Sequence, residues 1–179
     1  MILGVDELLK LVSEKKLVEG LSERELTNPE GCGFDLRLGK VWEISGETFL
    51  GITDRKSVEA KLVMEYDETE SRVFELKPGQ QVLVTIIEKI NLPDYLTVNF
   101  WLRSTLYRGG VILSGGNGAP GYSGEISFTL FNSGECTVKI EMGARIVHMM
   151  FYEVRGKTNL YRGQWQGGRV VTEKKETQV

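Results

Sequence analysis

WLRSTLYRGGVILSGGNGAPGYSGEISFTLF, residues 101–131, opens with the end of an apolar strand. Arg103, Ser104 and Arg108 then fall within one short turn of chain, and Gly109-Gly110 follow. After a second apolar run comes the glycine-rich loop SGGNGAPGYSGE. Alternation then returns, with Ile126, Phe128 and Leu130 against Ser127 and Thr129. Two guanidinium groups, a hydroxyl and backbone amides freed by glycine are what a polyphosphate needs. Arginine binds phosphate oxygens in a planar fork, and glycine lets the main chain approach a ligand closely.

The rest of the chain frames this stretch. A chain of 179 residues is most simply one domain with room for its own core. Its hydrophobic content of 41% and charged content of 26% are ordinary for a globular protein. The net charge of -3 argues against a general nucleic-acid surface, which needs a basic excess. Cys32 and Cys136 lie far apart without metal spacing, and read as reduced thiols of a cytoplasmic protein. A single histidine excludes a multi-histidine zinc site. Met1-Ile2-Leu3 runs straight into an acidic amphipathic stretch, so no leader is expected, and no apolar run is long enough for a bilayer.

Upstream, residues 5–16 read as a helix with Leu8, Leu9, Leu11 and Val12 as an apolar stripe and Asp6 and Glu7 at its N-terminal end. The polar run from Gly20 to Gly31 reads as loop. Phe34, Leu36 and Leu38 alternate in GFDLRLG and predict a strand continuing through Ile44. That alternation alone turns Asp35 and Arg37 outward. Residues 57–64 fit either a strand or a short helix, and the acidic 67–70 segment reads as a solvated turn. Residues 81–88 are rich in branched side chains and predict a strand between the turns at Pro78-Gly79 and Pro93-Asp94. Downstream, Asn132-Ser133-Gly134 reads as a hairpin-like turn, with Cys136, Val138 and Ile140 alternating after it. Ile146 to Tyr152 reads as a buried strand, and the polar end from Glu173 as disordered. Many short strands and one N-terminal helix predict an all-β sandwich or jelly-roll.

The order of these motifs resembles the dUTPase/dCTP deaminase superfamily. Arg103-Ser104-Thr105-Leu106-Tyr107-Arg108 is similar to its serine–arginine motif, and Ala119-Pro120-Gly121-Tyr122-Ser123-Gly124 to its DPG-aromatic-x-G motif. GFDLRLG resembles its first motif, whose aspartate strand contributes near the active site. Gly143-Ala144-Arg145-Ile146-Val147-His148 resembles a later one, with His148 where glutamine usually stands. Tyr161, Gly163, Gln166 and Gly167 resemble the tail of archaeal-type dUTPases. The resemblance covers roughly residues 33–168.

It implies a distorted β-sandwich of the dUTPase-like (β-clip) kind over residues 1–158 and a flexible tail, 159–179, closing over the active site. It implies a homotrimer with nucleotide between subunits. Arg103, Ser104 and Arg108 would then hold the phosphates and Tyr122 would press on the deoxyribose. The loop from Asn117 would read the pyrimidine, Trp165 would stack, and Gln166 would lie near phosphate. Mg²⁺ would ride mainly on the triphosphate, with no metal site of the protein's own. The usual dUTPase aspartate is Ala119, and the usual deaminase glutamate is Thr129; Glu125 is the nearest acid. The tail and the missing glutamate favour dUTP hydrolysis to dUMP and pyrophosphate, impaired by Ala119. The alternatives are a non-catalytic deoxynucleotide-binding homologue and a dCTP deaminase.

Overall fold

The structure, a computed structural model, describes residues 1–178. It begins with α1 (Val5–Lys15), which buries Leu8 and Leu11 and carries Asp6 and Glu7 in its first turn. The helix ends on Lys16 in the left-handed conformation (φ 53°), whose N–H satisfies a carbonyl of the last turn. The polar run that follows is not all loop. It is preceded by β1 (Val18–Glu19) and contains α2 (Glu23–Thr27), whose Glu25 is fully buried.

The long strand β2 (Gly33–Ser45) organises what comes after. The region that alternation left open holds β3 (Phe49–Leu50), β4 (Asp54–Lys56) and β5 (Glu59–Glu65), so the 57–64 stretch is strand from Glu59 on and not helix. Next come β6 (Val73–Leu76), β7 (Gln81–Ile86), β8 (Lys89–Asn91) and β9 (Leu96–Leu102). The short α3 (Ser104–Arg108) leads to β10 (Val111–Ser114), β11 (Ser123–Gly124) and β12 (Ser127–Asn132). The chain finishes with β13 (Val138–Glu141), β14 (Arg145–Glu153) and β15 (Glu176–Thr177).

The fold is all-β. Its main sheet runs β10-β12-β7-β2-β14-β9, with β5 added to β2. The end strands β9 and β10 approach each other, so the sheet nearly closes. β2 makes this geometry by changing partners along its length. Its first half pairs with β14, and its second half with β7 and β5. The switch lies at Gly39, where the register to β7 shifts. A Cβ there would stand 2.9 Å from the carbonyl carbon and oxygen of Ile86, so only glycine lets the strands cross this closely.

Phe34, Leu36, Leu38, Val84, Ile86, Phe128, Leu130, Met149 and Phe151 fill the interior. Phe34 and Phe151 meet edge to face, ring centres 6.0 Å apart. Each such side chain contributes about 1.5–3 kcal/mol on burial.

Two expected connections differ. Asn132-Ser133-Gly134 does not fold β13 back onto β12; β13 pairs with β6. The buried Asn132 is the cause. Its Nδ2 donates to Leu76 O (2.9 Å) and Cys136 O (2.8 Å), and its Oδ1 accepts from Gly134 N (3.0 Å). That amide carries the chain across to β6. The polar C-terminal end, read as disordered, includes β15, which pairs with β4 in a small β15-β4-β3 sheet. Among the described residues no helix is long and apolar enough to cross a membrane.

Candidate functional site

The site divides between two regions. The first gathers charge around Asp35, which is 1% exposed on β2. Three guanidinium groups converge on its Oδ2: Arg103 in direct contact, Arg145 Nη1 at 2.9 Å and Arg24 Nη1 at 3.8 Å. His148 Nδ1 lies 2.9 Å from Oδ1. The backbone N–H of Asp35 donates to the buried Glu25 (3.0 Å). Burial opposes ionisation of Asp35, but the His148 hydrogen bond and the Arg103 charge outweigh it and hold the carboxyl below its usual range. Asp35 is therefore not an outward-facing strand residue. Its face of β2 is covered by α2 and by arginines from two other elements. Arg37, two residues on, pairs with the buried Glu88 (Nε to Oε1, 2.7 Å). Burial pushes that carboxyl up, against the Arg37 bonds.

α3 starts directly after Arg103, whose N–H is fixed to Ile146 O (2.9 Å). Leu106 anchors the helix in the core, and Ser104, Tyr107 and Arg108 stay exposed. The Arg108 guanidinium sits over the Tyr107 ring, 5.4 Å from its centre. Of the two arginines in this motif, Arg103 is ion-paired and Arg108 forms no ion pair among the described residues.

The second region is a cavity of about 380 Å³ lined by Asn117, Ala119, Tyr122, Ser127, Trp165 and Arg169, among others. The loop keeps its shape through backbone pairing. Gly118 exchanges two hydrogen bonds with Val98 (3.0 and 3.1 Å), and Gly121 N and Tyr122 O both bond Leu92. The Tyr122 ring lines the cavity, but its hydroxyl turns inward and donates to Glu125 O. Burial pushes the Tyr122 phenol up to about 12, so it stays protonated.

The tail forms the opposite wall. Tyr161 packs edge to face on Tyr122, ring centres 5.4 Å apart, and its N–H donates to Pro120 O (2.7 Å). The Gln166 amide braces the loop, donating to Gly121 O (3.1 Å) and accepting from Ser123 N (3.3 Å). Gly124 makes this contact possible. It has φ 145°, and a Cβ there would come within 2.3 Å of Gly168 N.

Of the residues singled out from sequence, Asn117, Tyr122 and Trp165 line the cavity, and Gln166 holds its loop. Arg103, Ser104 and Arg108 do not line it. Glu125 lies just outside, paired with Lys40 at 3.4 Å. Ala119, at the usual aspartate position, does line the cavity, and Thr129 shares the face of β12 that carries Ser127. Sequence reasoning missed Glu25, Arg24 and Arg145 around Asp35, and Arg169 in the cavity wall. None belongs to a local pattern, except that Arg145 stands within the motif containing His148. Among the described residues no group of three or more His, Cys, Asp or Glu could hold a metal ion.

A nearly closed all-β sheet with this motif order defines a member of the dUTPase/dCTP deaminase superfamily. A family described as dCTP deaminase-like matches residues 2–154, and the chain belongs to it. It is 31% identical over 159 residues to the dCTP deaminase of Thermococcus kodakarensis, covering 88% of this chain and 90% of that one. It is 32% identical over 175 residues to the dUMP-forming dCTP deaminase of Sulfurihydrogenibium sp., covering 96% and 95%. The 2′-deoxycytidine 5′-triphosphate deaminase of Agrobacterium tumefaciens has a similar fold (TM-score 0.64, 15% identity). That match covers 84% of this chain and 47% of that one.

These similarities correct the expectation of an archaeal-type dUTP nucleotidohydrolase. That expectation weighed four tail positions and one missing glutamate. The likeness to dCTP deaminases runs through most of the chain and outweighs them.

Proposed function

We propose that this chain acts on dCTP as a deaminase, in the cytoplasm and as a homotrimer. Water adds to the ring carbon bearing the amine, ammonia leaves, and the cytosine becomes uracil. The observation that carries the reading is the similarity to dCTP deaminases along nearly the full length, over a chain whose glycine-rich loop walls a nucleoside-sized cavity. In this reading Tyr122 and Trp165 enclose the sugar and ring, and main-chain groups around Asn117 read the pyrimidine edge. Ser104, Arg108 and Arg103 reach the triphosphate, with its Mg²⁺, from a neighbouring subunit. The exposure of Ser104 and Arg108 outside the cavity of their own chain favours that arrangement.

One observation favours a second reading, a deoxynucleotide-binding homologue without catalysis. The glutamate position holds Thr129, and the nearest acid, Glu125, is paired with Lys40 outside the cavity. One experiment separates the two. The protein is incubated with dCTP, dUTP or CTP and Mg²⁺, products are resolved, and binding is measured by calorimetry. Conversion of dCTP to dUTP or dUMP with release of ammonia is the expected result. Tight binding of dCTP without conversion establishes the second reading. Binding of none of the three overturns both.

A further inference from the structure

Arg169 lines the cavity and has no part in the reading above. Its Nε donates to Val171 O (2.9 Å), and Nη1 and Nη2 make parallel bonds to the two oxygens of Glu176 (3.1 and 2.6 Å). A guanidinium carries five N–H groups, so two remain, on a side chain that is 34% exposed.

The carboxylate that orients it is itself fixed. Glu176 lies in β15, opposite Arg55 of β4. Next to it Thr172, 4% exposed, exchanges hydrogen bonds with Ser57: its N–H donates to Ser57 Oγ (2.7 Å), and its Oγ1 accepts from Ser57 N (2.9 Å). The hydrogen bond from Arg169, helped by its charge and that of Arg55 and opposed by burial, holds Glu176 below the usual carboxylate range. Arg169 is therefore held from behind by the 54–57 and 172–177 segments, which lie outside the cavity wall.

An arginine whose charge is already matched by a carboxylate offers oriented donors with little net charge. Phosphate rewards net positive charge, whereas a carbonyl or hydroxyl oxygen needs only a placed donor. The walls beside Arg169 are aromatic: Phe100, Tyr122 and Trp165. We propose that Arg169 is a specificity-determining residue that donates to a neutral oxygen of the bound nucleoside, ring carbonyl or sugar oxygen, and that Glu176 positions it. This rests on the reading of the cavity as a deoxynucleotide site.

The test is calorimetry of the full chain with dCTP and Mg²⁺, at about 0.05 M and about 0.5 M salt, where screening of charge contacts differs strongly. The parent is compared with Arg169→Ala, Arg169→Lys and Glu176→Gln, each with its melting temperature. The expected result is a roughly tenfold weaker affinity for Arg169→Ala, the cost of one lost hydrogen bond to a site donor, by the same factor at both salts. Glu176→Gln weakens binding by a smaller factor, also independent of salt. Arg169→Lys, which keeps the charge and loses the fork, behaves as Arg169→Ala; it supplies the reading if the alanine variant melts early. A factor that shrinks with salt makes the contact one to phosphate and overturns the proposal. So does parent-like affinity in the Arg169 variants, or in Glu176→Gln for the positioning role. A parent that fails to bind dCTP overturns the proposed function itself. A parent that binds while the variants bind equally well overturns this inference alone.

Discussion

In the proposed deaminase reading, Thr129 is the residue that limits the chemistry. It stands at the position of the family's glutamate, on the face of β12 shared with Ser127 of the cavity wall. A threonine hydroxyl neither takes nor gives a proton readily near neutral pH, and a positioned general base is worth about 10²–10⁴ in rate. Thr129→Glu is therefore expected to raise ammonia release from dCTP tenfold or more, with dCTP affinity within a few-fold of the parent. No gain, with binding intact, removes Thr129 from the reacting position. Asp35 answers a different question, that of stability. It draws Arg103, Arg145 and Arg24 to one oxygen, and those side chains are 33%, 35% and 37% exposed. Removing one partner of a buried ion pair costs about 3–5 kcal/mol, and water can reach these three guanidinium groups, so Asp35→Asn is expected near about 3 kcal/mol in urea unfolding. Its folded carboxyl lies below the ordinary 3.8. The stability it contributes is thus complete above that value and is lost as pH falls through the lowered one. The parent should weaken progressively as pH falls below about 4, and Asp35→Asn should lack that share of the loss. Parallel pH profiles would show that the cluster does not depend on the charge of Asp35.

At the scale of elements, what local period encodes was legible and what distant pairing encodes was not. α1, β2, β7 and β14 follow from apolar spacing, because each presents a regular face to the core. The period of β2 was also right, yet Asp35 is buried. Alternation says which residues share a face, but not that α2 and the arginines cover the second face. β13 and β15 find partners far away in sequence, β6 and β4, and no turn signal announces either. The site divides in the same way. The loop from Asn117 to Gly124 was legible as part of a cavity wall, because glycine and proline mark where the backbone turns tightly. Arg169 and Glu176 were not, since their meeting depends on β15 docking against β4. The reaction was misjudged for a related reason. Tail motifs are short, whereas the likeness to dCTP deaminases runs through most of the chain.

At the scale of the whole molecule, a single chain leaves the proposed site incomplete. The cavity has aromatic walls but lacks Ser104 and Arg108, which α3 carries outside it. Around α3 large apolar side chains are exposed: Trp101, Tyr107 and Ile112 are 59%, 54% and 51% exposed on β9, α3 and β10. Large side chains left in water on adjoining elements are the kind of face a symmetric partner covers. The proposed trimer joins the two facts, with the α3 of one subunit completing the cavity of the next. Complementation tests this directly. Arg108→Glu spoils α3 and leaves the cavity intact. Ala119→Trp fills the cavity and leaves α3 intact. Each variant alone is expected to lose tight dCTP binding. Co-refolded in equal amounts, they form a random population of rings in which about one quarter of all sites join an intact α3 to an intact cavity. Calorimetry of the mixture should then return parent-like affinity at that reduced stoichiometry, and light scattering should give three copies of the 20.1 kDa chain. If the site were built within one chain, every subunit of the mixture would carry a defect, and mixing would restore no binding.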